Sequence, residues 1–560
     1  MQKIKLNRRH FVIGSSLLAA TSAAPQVSRS ETVGDQWNGG PTMRSSQAQT
    51  PVYYSSEMET PSPEIIALNR MAFGPRPGDI EQFMALGETS EARLAAYIEE
   101  QLSPEVIDDS LCDEKLAAQN FITMDKSLGE LWASYAIADV EYDDHYRPYH
   151  EVKHAAFIRG IYSKRQLLEV LADHWHNHFN VYGSDYWVAP IFAHYDRDVI
   201  RQHVLGNFRQ MLEAVATSPE MLYYLDNQSN TAAGPNENFA RELFELHTMG
   251  AENYLGVIPD RADVPTDEQD RPVGYIDKDV YQATEAFTGW MVDKETGQFD
   301  FDGSVHSRYD KTVLNTSLGD FQGVKDGQLV LDLLASHPGT ARFICRKLCR
   351  RLVSDHPPVA LVAKAAAVFM ENLDAEDQLK QVVETILMSE EFSTTWGEKM
   401  KRPFEYIVSI LRATQADFEP ESDFFWNYER TGQPLFGWHP PNGYPDFKES
   451  WSGTMPMLQR WRLCNWVIRW NHEADEQGEE AYRLRFIEQM PDEIKSANGI
   501  VNYWISRLIG YGIPESERAA MVDIMAHGRN PDYDLPDDQI AERLRYMVGL
   551  LLMAPSFQLR

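Results

Sequence analysis

"RQLLEVLADHWHNHF", residues 165–179, decides how this chain folds. Leu167, Leu168, Leu171, Trp175 and Phe179 return every three or four residues, which at 100° per residue lines one face of a helix over 164–179. His174 and His178 then fall within that apolar stripe, and His176 points to the opposite side. A helix that stops near Asn177 would instead let His176 and His178 converge from an irregular turn. The three imidazoles raise the question of function: metal ligands, catalytic bases, or histidines packed in a core.

Working outward, the same period recurs in "RDVIRQHVLGNFRQMLEAVATS", "NENFARELFELHTMG", "DQLKQVVETILMS", "RPFEYIVSILRAT" and "DQIAERLRYMVGLLLMAP". Ser218-Pro219 starts a short helix, and Gly250 sits where a left-handed residue closes one. "FTGWMVDKETGQFDFDGSVHS" alternates aromatic and polar residues around a Gly-containing turn, as a hairpin does. Polar loops fall at about 226–237 and 255–278, with another in "FGWHPPNGYPDFKESW". The expected class is mainly α: a large helical domain with at most one small β-hairpin and long polar loops.

The chain is 560 residues long with a formal charge of −32. Nucleic acid and anionic membrane surfaces need clustered Lys and Arg, so this balance argues against both as partners. No stretch after the N-terminus is apolar for the ~20 residues a bilayer span needs, so no stable membrane insertion is expected. "NRRHFVIGSSLLAATSAA" pairs Arg8 and Arg9 before a short, weakly apolar run ending in small residues. That pattern resembles a twin-arginine export signal over 1–24, and it places the mature protein in the periplasm or outside the cell. Residues 25–62, rich in Ser, Gly, Pro, Thr and Gln, read as a flexible leader, and 63–555 as the helical domain, with a candidate sub-boundary near 395–400. Cys112, Cys345, Cys349 and Cys464 are too sparse for a disulfide scaffold. Cys345 and Cys349, one turn apart in "ARFICRKLCRRLV", read as small core residues.

Three clusters carry candidate chemistry. The first is the histidine stretch, with His178 ahead of His176 and His174. The second is "NENFARELFELHTMG", where Phe239, Leu243 and Leu246 form the expected apolar stripe. Glu242 and Glu245 lie on one flank and His247 on the other. Carboxylates three apart on a helix can share a cation, or split into acid and base through repulsion. Arg241 beside them offers the plain alternative of an ion-paired surface. The third is "GWHPPNGYPD", whose Trp438, His439 and Tyr444 suit stacking on a sugar ring or covering a small-molecule pocket. The plain alternative there is a rigid connection between helices. There is no two-Cys zinc, Walker, Gly-x-Ser-x-Gly or dinucleotide motif.

Several stretches together resemble one family of exported bacterial proteins, catalogued as domain of unknown function 1800. They are "LNRMAFGPRPGDIEQFMALG", "WHNHFNV", "YDRDVIRQHVLGNFRQMLEAVATSPEMLYYLDN", "NENFARELFELHTMG", "AFTGW", "HPGTARFICRKL" and "KRPFEYIVSILRAT". The resemblance covers residues 63–555 and brings no established activity. It implies export, and a second exported protein as partner. His176 and His178 match its "WHNHF" pattern. His306 and Lys311 match a His-and-Lys segment, with Ser307 where an acidic residue is usual.

Two functions stay open on the sequence. One is a metal-dependent enzyme, a hydrolase or oxidoreductase, with His176, His178, Glu242 and Glu245 holding a divalent metal and Glu242, Glu245 and His247 as catalytic groups. The other is a non-catalytic helical binding or assembly protein that acts with an exported partner.

Overall fold

Helices form where the apolar period is helical, and each buries the face that the period marks. The structure is a computed structural model that describes residues 59–319, 321–470 and 483–560. The export signal and residues 25–58 of the leader lie outside the described residues. The helices that matter for the site are α1 (Arg147–Tyr162), α2 (Gln166–His178), α3 (Phe208–Thr217) and α4 (Asn238–Glu242), followed by α5 (Asp277–Ala286) and α6 (Val324–Ala335). Then come α7 (Pro338–Leu352), α8 (Val359–Glu371), α9 (Gln378–Leu387), α10 (Pro403–Ala413) and α11 (Asp537–Met553). α1 packs on α10, α3 on α6 and α4 on α5, while α7, α8 and α9 stack in succession. No helix among the described residues is long and apolar enough to cross a membrane.

α2 buries Leu167, Val170, Leu171 and Trp175, each contributing roughly 1.5–3 kcal/mol of apolar burial. Its first residue is tied down by Gln166, which accepts from the Phe73 amide at 3.2 Å and donates to the Ser163 carbonyl at 2.9 Å. The Trp175 indole donates to the Val204 carbonyl at 3.1 Å, so the large ring is buried without an orphaned donor. α7 shows the same logic. Ala341, Ile344, Cys345, Leu348, Cys349 and Leu352 are all buried, so the cysteine pair is core. His337 caps the helix, its Nδ1 accepting from Gly339 at 2.9 Å.

Strands are few. β1 (Trp290–Val292) and β2 (Phe299–Phe301) form the expected hairpin, with Trp290 opposite Phe301. A second ladder, β3 (Thr312–Val313) with β4 (Thr316–Ser317), exceeds the single hairpin the sequence suggests. Its turn runs through Leu314 and Asn315 at φ of +48° and +59°. A leucine in the left-handed region gives no turn signal, which hides this hairpin in the sequence. Residues 399–401 pair with 558–560: the Lys401 amide donates to the Gln558 carbonyl at 2.9 Å, and the Arg560 amide to the Lys399 carbonyl at 2.9 Å.

α4 departs from its expected phase. The chain continues from Glu242 into a π turn, Leu243–His247, which inserts a residue into the helical register. Phe239, Leu243, Phe244 and His247 become the buried set, and Leu246, expected in the stripe, is only half-buried. Gly250 then turns the chain at φ +88° and ψ 147°, extended rather than left-handed helical. A Cβ there would lie 2.4 Å from Phe343 Cδ2, so only glycine lets α4 and α7 approach this closely.

Candidate functional site

α2 runs through His178, so His176 and His178 do not converge. His176 turns to the side of α2 that packs on Phe192 and Phe436, where its Nε2 meets Asp196 Oδ1 at 2.9 Å. Asp196 also takes the Arg201 guanidinium at 3.0 Å, and Arg201 in turn binds Glu169 at 2.7 Å. The Arg201 and Arg159 charges and the His176 bond outweigh burial and hold the Asp196 carboxyl far below the usual range. This is a closed, satisfied ion network.

His178 faces the other way, toward α4 and α7, and is 1% exposed. Its Nε2 donates to the His247 carbonyl at 3.1 Å. A carbonyl only accepts, so Nε2 carries the proton and Nδ1 is a bare acceptor. Nδ1 is buried without a partner, as are His174 Nε2 and both ring nitrogens of His247. The His174 and His178 rings lie parallel, 6.4 Å apart, and the His247 ring is 6.3 Å from His178. Burial first, then the Lys347 charge, holds His174 and His178 neutral, well below the ordinary imidazole range, and His247 at about 3. The two segments meet through histidine and backbone, not through His178 and a carboxylate as the flanks of α4 suggest. Glu245 pairs with Arg241 at 3.3 Å, and half-buried Glu242 is raised by burial and by the Glu245 charge.

Facing His174 and His178 across a cavity of about 460 Å³ is one side of α7. Phe343, Lys347, Arg350 and Arg351 fall at i, i+4, i+7 and i+8, and all line that cavity. Arg402, the residue before α10, joins them. Arg351 and Arg402 are neutralised from behind. Asp173 accepts from Arg402 and, at 3.1 Å, from Arg351; Glu405 pairs with Arg351 and, at 2.9 Å, with Arg560. Asp446, from the far wall, lies 3.2 Å from Lys399. Lys347 and Arg350 have no ion-pair partner among the described residues. The Arg350 guanidinium lies over the Phe447 ring at 4.2 Å, and Lys347 sits 5.5 Å from the Phe343 ring. Burial and the neighbouring Arg350 and Arg346 charges push the Lys347 ammonium down to about 8, against the Asp446 charge that raises it.

The loop "GWHPPNGYPD" closes the cavity. Asn177 donates to the Tyr444 carbonyl at 2.8 Å and accepts from the Tyr444 amide at 2.7 Å. Asn180 donates to the Trp438 and Pro440 carbonyls at 3.0 and 2.9 Å. Gly443 passes at φ +69° so close to α2 that a Cβ would lie 2.0 Å from the Asn177 carbonyl oxygen. Asn177 in the last turn of α2 and Asn180 just beyond it therefore dock the loop. Trp438 and Tyr444, rings 4.7 Å apart, line the cavity. His439 is exposed, its ring tilted against that of Tyr182 at 4.9 Å, and its carbonyl accepts from the Tyr224 hydroxyl.

The remaining candidate is structural in its contacts. His306 Nε2 meets Asp326 at 3.0 Å, and Lys311 Nζ meets the same oxygen at 2.9 Å, all three buried. Asp326 thus supplies from α6 the carboxylate that Ser307 does not. Among the described residues no three His, Cys, Asp or Glu side chains are grouped to hold a metal ion. The structure thus brings His174, His178, His247, Trp438 and Tyr444 to one region, and keeps His176 and His439 apart from it. Lys347, Arg350, Arg351, Arg402 and Asp446 are the members that sequence reasoning missed. Their signal is there: five of the ten residues 342–351 are basic in a chain of net charge −32.

No curated protein and no solved structure matches this chain. The model of the family described as "Protein of unknown function (DUF1800)" matches residues 66–559. That is most of the chain, which therefore belongs to this family.

Proposed function

We propose that this is an exported protein that binds a small anionic molecule in the cavity between α2, α7 and the 437–446 loop, with neutral His174 and His178 at its floor. Export rests on Arg8, Arg9 and the weakly apolar run that follows. The observation that carries the binding function is the unpaired state of Lys347 and Arg350 on the lining of a partly enclosed cavity. Two unit charges about 6 Å apart interact by about 3 kcal/mol at an effective dielectric near 20. An oxyanion gains that attraction from each free cation, whereas a divalent metal ion meets twice that repulsion. The His176, His178, Glu242 and Glu245 metal set would also need its two histidines together, and α2 holds them on opposite sides. Trp438, Tyr444, Phe343 and Phe447 supply apolar surface for the rest of the ligand.

The test is thermal unfolding with inorganic phosphate or sulfate, on the intact chain and on Lys347→Gln/Arg350→Gln. An anion at about 100 times its dissociation constant should stabilise the intact chain by roughly 2.7 kcal/mol, and the variant by far less. Equal stabilisation of both proteins, or none of the intact chain, would overturn the proposal.

A further inference from the structure

Lys347 differs from the other cations of the cavity. Arg351 and Arg402 are held by Asp173 and Glu405, and Arg350 by its ring contact and the Asp355 carbonyl at 3.2 Å. Among the described residues Lys347 Nζ has neither hydrogen-bond nor ion-pair partner, yet it lines the cavity with Arg350, His174 and His178. A buried amine beside fixed cations is the arrangement that keeps a lysine nucleophilic, because both conditions disfavour its charged form. Its ammonium, pushed down to about 8, agrees with that placement. Arginine cannot give up its proton, so only Lys347 on this wall can attack a carbonyl.

We infer that Lys347 Nζ forms an imine with an oxo acid whose carboxylate is held by Arg350. This rests on the anion-binding function and names its ligand class. The nitrogen lone pair adds to the carbonyl carbon, and one of the two protons of the amine passes to the carbonyl oxygen, which becomes a hydroxyl. The nitrogen sheds its second proton, which passes through solvent in the cavity to the departing hydroxyl. A carbon–nitrogen double bond forms and one water leaves, so neither oxidant nor reductant is required.

The test is reductive trapping on the full chain, with pyruvate as probe and sodium borohydride as reductant, read by intact mass and peptide mapping. One adduct is expected, on the peptide carrying Lys347. Its rate should climb about tenfold per pH unit below about 8 and then level off, as the neutral amine fraction does. Lys347→Gln should lose the adduct, and acetone, which lacks the carboxylate, should label far more slowly than pyruvate. Mapping on the intact chain locates the adduct even if the variant folds poorly. No adduct, or adducts spread over surface lysines, would overturn the imine. If phosphate still stabilises the chain in that case, the anion-binding function stands without it; loss of both removes both.

Discussion

Glu405→Gln tests whether the cavity's cations are held by buried charge rather than by packing. Glu405 is 2% exposed and serves three arginines: Arg351, Arg560 at 2.9 Å, and Arg402 through its backbone amide at 2.7 Å. Burial alone would raise its carboxyl, but the Arg351, Arg560 and Arg402 charges outweigh it and bring it from 4.5 to about 2. A carboxyl lowered on folding contributes stability that is present above about pH 4.5 and lost as pH falls toward 2; here that is about 3 kcal/mol at neutral pH. Breaking a buried pair by removing one partner costs a similar amount, roughly 3–5 kcal/mol. The variant keeps the shape of the side chain, so packing barely changes. Urea midpoints at pH 7 should therefore show the variant about 3 kcal/mol less stable, with about half of that gap gone at pH 3. Equal midpoints at pH 7, or a gap that does not shrink on acidification, would refute the electrostatic origin.

Two further perturbations have definite outcomes. Gly443→Ala must move the loop off α2, because its Cβ would lie 2.0 Å from the Asn177 carbonyl oxygen at a φ of +69°. A cost of about 1.4 kcal/mol there lowers phosphate affinity about tenfold in titration calorimetry, and unchanged affinity would detach the loop from the site. Changing Arg8 and Arg9 together to lysine should leave the protein in the cytoplasm on fractionation, because the receptor reads the arginine pair rather than charge. Normal export of that variant would point to the general secretory route.

The helices are legible wherever burial is one-sided. Leu167, Leu171 and Trp175 mark α2, and Ile344, Cys345, Leu348 and Cys349 mark α7, because apolar transfer free energy sets which face turns inward. The π turn after Glu242 is not, since residues 239–246 carry an ordinary helical period. The packing of Phe244 and His247 selects the wider turn. The aromatic loop is legible as a cover because "WHPPNGYP" stiffens and bends at once, but its seat on Asn177 and Asn180 depends on residues over 250 positions away. The cations are the largest omission. Arg350 and Arg351 in a last helical turn are what the helix dipole favours on any surface. Nothing local says that α2 and Asp446 fold over them, or that Asp173 and Glu405 compensate two and leave Lys347 and Arg350 unpaired.

The most direct test is anomalous diffraction from crystals of the full chain soaked in selenate. Selenium density among Lys347, Arg350, Arg351 and Arg402, displaced by phosphate, is the expected result. Selenate confined to exposed arginines, with a divalent metal ion in the cavity instead, would contradict an anion-binding function.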